Sequence, residues 1–150
     1  MNCVFQLNAY QIESVAIAQN AGFNPKLGEH TGDISSSINI APHTNDSSKY
    51  RLALEIQVKP TAKKEKDFFP YAVAIRGRAF FTFNNQCPRE EAEKALRLNG
   101  ASILYGLLRA QVAQITAQSV HGQFLLPAMN FMELAKAQQE AQPAKAANQK

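Results

Sequence analysis

In YRLALEIQV, residues 50–58, Tyr50, Leu52, Leu54, Ile56 and Val58 fall on one side of an extended chain. Arg51, Glu55 and Gln57 fall on the other. A helix would scatter those five apolar side chains around its axis, so the segment is constrained to be a strand with one buried face. FFPYAVAIRGRAFFTF (68–83) repeats the pattern with Tyr71, Val73, Ile75, Ala79, Phe81 and Phe83. Gly77 holds the same phase, where a bend or a close packing partner accounts for the missing side chain. ISSSINIA (34–41) alternates with Ile34, Ser36, Ile38 and Ile40 on one side. In FQLNAYQIESVAIAQ (5–19), Val15 and Ile17 share a face, and the less regular first half suits a bend or bulge. A Gly/Pro/Asn-rich connection (20–33), the turn cluster PHTNDSS (42–48) and the charged run KPTAKKEK (59–66) separate these segments. Four strands with one apolar face predict an antiparallel sheet that must be covered on that face.

The cover follows in sequence. PREEAEKALRL (88–98) opens with a proline and an acidic first turn, both suited to a helix N-terminus, and Asn99-Gly100 reads as an interruption. ASILYGLLRAQVAQITAQSV (101–120) then places Leu104, Leu107, Leu108, Val112 and Ile115 at helical spacing, about 30 Å of helix. A second stripe on it is small: Gly106, Ala110, Ala113 and Ala117, a surface suited to a second helix of the same chain or of another subunit. MNFMELAKAQQEAQ (129–142) predicts a short last helix with Asn130 as its cap, and PAKAANQK (143–150) a solvated tail. Strands first and helices last give an α+β two-layer fold, a single domain over 1–142.

Catalytic signatures are lacking. His30, His43 and His121 fall in or beside connections and form no metal-ligand spacing. Ser35, Ser36 and Ser37 lie in a strand without a nucleophile elbow, and no glycine-rich phosphate loop occurs. Glu90, Glu91 and Glu93 are accounted for by the helix start. A hotdog-type thioesterase, with a long helix against a sheet, remains as an enzyme alternative. No metal and no cofactor is expected. The net charge of +4 is spread rather than gathered into a stripe with aromatics, which argues against nucleic acid. No stretch reaches the roughly 20 apolar residues that span a bilayer, so no membrane insertion is expected. Cys3 and Cys87, far apart in sequence, read as free structural thiols in a reducing compartment, and the protein as cytoplasmic.

The apolar residues that the two layers do not absorb lie in connections. They are Phe23 and Leu27 in the first, and Phe124, Leu125, Leu126 and Met129 in GQFLLPAMNF (122–131). Such residues either plug the ends of the core or line a groove for apolar segments of another chain, a use that suits Met and Phe.

NGASILYGLLRAQVAQITAQSVHGQFLLPAMNF (99–131) resembles the C-terminal helical region of the SecB export chaperones. In that family a long helix leads to a glycine-containing turn, a hydrophobic loop and a P-x-N-F-like element opening the last helix, here Pro127 to Phe131. YRLALEIQVKPTA, FFPYAVAIRGRAFFTF and FQLNAYQIESVAIAQN are similar to the family's third, fourth and first strands. The resemblance implies four antiparallel strands covered by one long and one short helix, assembled as a homo-dimer or homo-tetramer. It implies ATP-independent holding of unfolded or precursor polypeptides in surface grooves. Carried onto this chain, the groove contains Phe23, Leu27, Phe124, Leu125, Leu126, Met129, Phe131 and Met132, and assembly accounts for the stripe Gly106, Ala110, Ala113 and Ala117. The family's typically acidic outer sheet face docks on the export motor SecA. This chain is basic, with a pI near 9.2, and carries Arg51, Lys59, Arg76 and Arg78 at outward strand positions, while its tail lacks acidic residues. SecA is thus a partner that the resemblance implies and the charge argues against. Relatives with SecB-like folds also serve one dedicated partner, as in toxin–antitoxin systems, and that alternative stands beside general holding.

Overall fold

The computed structural model describes residues 3–23, 30–60, 67–84 and 86–134. Its strands are β1 (Phe5–Gln19), β2 (His30–Thr31), β3 (Asp33–Pro42), β4 (Lys49–Lys59), β5 (Asp67–Phe68) and β6 (Tyr71–Phe83). Its helices are α1 (Arg89–Ala95) and α2 (Ala101–Thr116), joined by a π-helical turn, Leu96–Gly100. The main sheet has the order β1-β6-β4-β3, all neighbours antiparallel, and β2 pairs with β5 in a short parallel bridge. The four alternating segments are therefore the four strands of one sheet.

Alternation sets which side is sealed. Along β4 and β6 every second residue is buried, from Tyr50 to Val58 and from Tyr71 to Phe83. β1 keeps its apolar residues in phase with β6 by means of two bulges, between Leu7 and Ala9 and between Ile12 and Ser14. Each bulge inserts one residue, so Phe5, Leu7, Tyr10, Ile12, Val15 and Ile17 all stand opposite core-phase positions of β6. At Gly77 an added Cβ would lie 2.8 Å from Leu108 Cδ2 and 3.2 Å from the Gln11 carbonyl oxygen. The absent side chain is thus explained by close packing: α2 rests directly on the sheet there.

The helical layer differs from expectation at Asn99-Gly100, which does not break the helix. The rod runs on from Arg89 to Thr116, with Leu96 and Gly100 buried in the wide turn. Inward residues recur every four positions through Ala92, Leu96, Gly100, Leu104, Leu108, Val112 and Thr116. On a regular α-helix a four-residue repeat drifts about 40° per step, and a wide turn winds part of that drift back. Leu104, Leu108 and Val112 are fully buried as their spacing predicts, whereas Ile115 is exposed. The end of the helix is secured by the buried Thr116, whose hydroxyl donates to the Val112 carbonyl at 2.7 Å and accepts from the Phe124 amide at 2.8 Å.

Cys3 and Cys87 are not free thiols but a disulfide, with Cα atoms 5.6 Å apart. The cause is topological. Antiparallel pairing of Phe5 with Phe83 brings the residues before β1 beside the segment after β6, a proximity that a sequence separation of 84 conceals. Asn130 caps a last helical turn at 131–134 as expected, its side-chain oxygen accepting from the amides of Met132 at 3.1 Å and Glu133 at 3.3 Å. The remainder of the expected last helix, the 143–150 tail and the boundary at 142 lie outside the described residues, as do Leu27 and residues 61–66.

Candidate functional site

Past Thr116 the chain turns back and runs along the helical rod as an extended strap, residues 123–130. Gly122, at φ 78°, makes that reversal in a backbone region that disfavours other residues. Tyr71 clamps the turn: its hydroxyl donates to the Gly122 carbonyl at 2.8 Å and accepts from the His121 amide at 3.0 Å. The strap then reads in period two. Phe124 and Leu126 are buried, Leu125 between them is 56% exposed, and after the capped turn begins Phe131 is buried and Met132 is again 56% exposed. Met129 is half-buried against the core.

Two ends of this strap gather the candidate residues. At the turn end, the rings of Phe23 and His121 lie 4.8 Å apart, Phe69 and Phe124 5.4 Å, and Tyr71 and His121 5.7 Å. The His121 imidazole Nε2 sits 3.1 Å from the Asn20 carbonyl, which ties the first connection to the turn. Phe23 and Phe124, 101 residues apart in sequence, thus meet in one aromatic cluster. At the other end a cleft of about 420 Å³ opens between Leu98, Asn99 and Ser102 of the rod and Ala128 to Met132 of the strap. Tyr105 braces it, edge-on to Phe131 at 5.6 Å, with its hydroxyl donating to the Pro127 carbonyl. Burial pushes the Tyr105 phenol above its ordinary value of 10.0, and the nearby Arg109 guanidinium opposes that shift.

Seven of the eight groove candidates divide by position, Leu27 lying outside the described residues. Phe124, Leu126 and Phe131 form a sealed floor, Leu125 and Met132 stand out from it, and Phe23 and Met129 are half-buried at its two ends. Leu98, Asn99 and Ser102 line the cleft, Tyr105 braces it, and His121 and Phe69 pack in the aromatic cluster at the turn end; none of them stands out as a groove residue in the sequence. The signal for Tyr105 was its place one turn from Ala101 and Leu108 on the sheet-facing stripe. Of the small stripe, Gly106, Ala110 and Ala117 are exposed, while Ala113 is turned inward and only 6% exposed. An added Cβ at Gly106 meets nothing within 4 Å.

The outer sheet face carries a compact ionic group. Glu13, at the second bulge of β1, accepts from Arg78 and pairs with Arg76 at 3.2 Å, and the Arg78 hydrogen bond holds its carboxyl below the ordinary 4.5. A larger cavity, about 930 Å³, opens between the 43–48 turn and Asn84, Gln86, Cys87 and Arg89. It is lined mainly by polar turn residues and contains none of the groove candidates. Among the described residues no three His, Cys, Asp or Glu side chains are grouped as metal ligands, and no helix is long and apolar enough to cross a membrane.

A one-sided sheet roofed by a long helix and edged by an apolar strap defines an α+β domain of the SecB-like type. The sequence profile of the family described as preprotein translocase subunit SecB matches residues 4–142, and the chain belongs to that family of chaperones. Among solved structures it is similar to a Mycobacterium tuberculosis SecB-like chaperone in complex with a peptide from an antitoxin. The two share 14% identity at a TM-score of 0.66, over 84% of this chain and 91% of that one. A Streptococcus agalactiae protein of unknown function is similar at 8% identity and a TM-score of 0.48, over 85% of this chain and 100% of that one. No curated protein matches it by sequence.

Proposed function

We propose that the protein holds extended apolar segments of unfolded or precursor polypeptides in the trench beside its helical rod, without nucleotide, cofactor or chemical step. The observation that carries this reading is the strap itself. A sealed floor of Phe124, Leu126 and Phe131 supports the exposed Leu125 and Met132 beside an open cleft. Unbranched and flexible side chains such as Met adapt to varied segments without demanding matched hydrogen bonds. Burial of client surface contributes about 25 cal/mol per Å², offset by ordering of the client, so each contact is weak and several are needed.

Several sites come from self-assembly, as dimer or tetramer. Between Arg97 and Glu133 the sequence holds a single formally charged residue, Arg109, so the outward side of α2 with Ile103, Gly106 and Ala110 has no solvating charges. β1 is an edge of the main sheet, its one formal charge Glu13 engaged by arginines. A long edge lacking its own charged guards is suited to a second copy. A cytoplasmic location belongs to the same reading on the family's account alone, because the Cys3–Cys87 disulfide removes the free-thiol argument for it. Docking on SecA is not part of it, because Arg51, Arg76 and Arg78 occupy the outer face.

A second reading, service to one dedicated partner, is favoured by the M. tuberculosis neighbour and its antitoxin peptide. Suppression of aggregation of a denatured protein, without nucleotide, separates the two. Protection at stoichiometric oligomer supports general holding, and none at several-fold excess leaves the dedicated role. Leu125→Asp with Met132→Asp should abolish protection and leave the circular dichroism spectrum unchanged. Full protection by that variant refutes the trench.

A further inference from the structure

Among the described residues one buried side-chain polar atom beside the trench has no hydrogen-bond partner. Arg109 is half-buried on α2, and its Nε is sealed from solvent without a hydrogen-bond partner among the described residues. An unmade hydrogen bond of a buried donor is expensive, and a guanidinium more so than a neutral amide. Placement says what it faces. Phe124 is tied to Thr116, Pro127 to Tyr105, and Met129 to Met132 lie beside Leu98 and Ser102, so the strap runs antiparallel to the helix. Ser102, Tyr105, Arg109 and Thr116 share one helix side, and Arg109 stands about 6 Å beyond Tyr105 along it. It therefore faces the middle of the strap, where Leu125 is exposed. It is also the only formal charge in residues 98–132, so an acceptor from the strap or the rod would have to be neutral.

We propose that Arg109 is a specificity residue of the trench, which takes a carboxylate from an extended segment whose neighbouring side chains are apolar. The inference rests on the trench reading above and adds a chemical preference to it. A carboxylate is the acceptor that best matches a guanidinium, and a desolvated wall strengthens the pair. The occupant so defined is an apolar polypeptide stretch interrupted by an acidic group, which an unselective greasy groove would disfavour.

The test uses the assembled protein and three labelled peptides of one apolar nonamer sequence. One carries a central Asp with both ends blocked, one a central Asn with both ends blocked, and one the Asn with a free C-terminal carboxylate. The Asp peptide should bind about tenfold more tightly than the blocked Asn peptide. The third peptide tells whether a terminal carboxylate serves as well. Arg109→Met should erase the preference while keeping the affinity for the blocked Asn peptide. Its folded state should be no less stable than the parent, because the unpaired donor is gone. Arg109→Lys should retain part of the preference. Equal binding of the Asp and Asn peptides to the parent protein overturns the proposal and leaves the trench intact. Binding of neither peptide overturns the trench and the proposal together. A change of assembly state in Arg109→Met, with the peptide preference unchanged, assigns the acceptor to a second copy and also overturns it.

Discussion

Gly77→Ala tests the contact on which the two layers meet. The added methyl would sit 2.8 Å from Leu108 Cδ2, against the 3.5–4.0 Å of an ordinary carbon contact, and 3.2 Å from the Gln11 carbonyl oxygen of β1. Leu108 is fully buried, so its side chain has no solvent to swing into. Overpacking of this kind costs about 1–3 kcal/mol. Replacing glycine within a strand returns about 0.5–1 kcal/mol by restricting the unfolded chain. The net expectation is a loss of about 1 kcal/mol, or about 2–4 °C in Tm for a chain of this size. Urea unfolding should be followed at one fixed protomer concentration, because assembly makes apparent stability depend on it. The decisive comparison is the same substitution in Leu108→Ala, which is itself expected to cost about 2–5 kcal/mol. With the opposing methyls gone, Gly77→Ala should become neutral or stabilising. A Gly77→Ala cost that is the same in both backgrounds refutes Leu108 as the reason for the glycine.

Three further expectations come from other parts of the molecule. Thr116→Val removes the acceptor of the Phe124 amide inside the core and should cost about 1–3 kcal/mol, with faster hydrogen exchange at that amide, while Thr116→Ser stays near the parent. Replacing Cys3 and Cys87 together by serine opens a cross-link across 84 residues and should cost about 4–5 kcal/mol in denaturant unfolding, with dithiothreitol then without further effect; a difference below about 1 kcal/mol denies the bond a stabilising role. Glu13, whose carboxyl is held below 4.5 chiefly by Arg78, adds stability above that pH and loses it as pH falls through the depressed folded value. Glu13→Gln should therefore lower the neutral plateau slightly and flatten the acid limb, so that the two profiles converge at low pH; an unchanged acid limb removes the ionic group from the account.

What the sequence disclosed, and what it hid, divides along one physical line. Period-two burial is local, so β4 and β6 were legible residue by residue, and even the irregular half of β1 announced its bulges. Features made by pairing remote segments were not. The disulfide needs the β1–β6 register, and the ring cluster that links Phe23 to Phe124 through His121 and Tyr71 needs the turn that Tyr71 clamps. Asn99-Gly100 misled for a related reason. The dipeptide suits a turn, but burial of Leu96 and Gly100 against the sheet kept the backbone helical and widened it instead. Ile115 and Ala113 show the same limit on a smaller scale. Apolar spacing placed Ile115 inward and Ala113 outward, whereas Ile115 is 37% exposed near the end of α2 and Ala113, on the helix side shared with Ser102 and Arg109, is 6% exposed.

The strap combines local alternation with remote packing. Its apolar residues posed two explanations, core plug and groove wall, and an extended backbone makes the choice unnecessary. Alternation sends Phe124 and Leu126 down as a plug and leaves Leu125 exposed, so under the proposed function one stretch of sequence would serve as both plug and wall. Pro127 supports that arrangement, since it restrains Leu126 to an extended backbone just where the floor needs an inward side chain. Stability and binding are then separable by residue rather than by segment. Truncation of Leu126 should lower stability and binding together, whereas a polar residue at Leu125 should lower binding alone. A trench built this way keeps its apolar rim exposed without loosening the core beneath, which is the condition a chaperone must meet to present a greasy surface and remain folded itself.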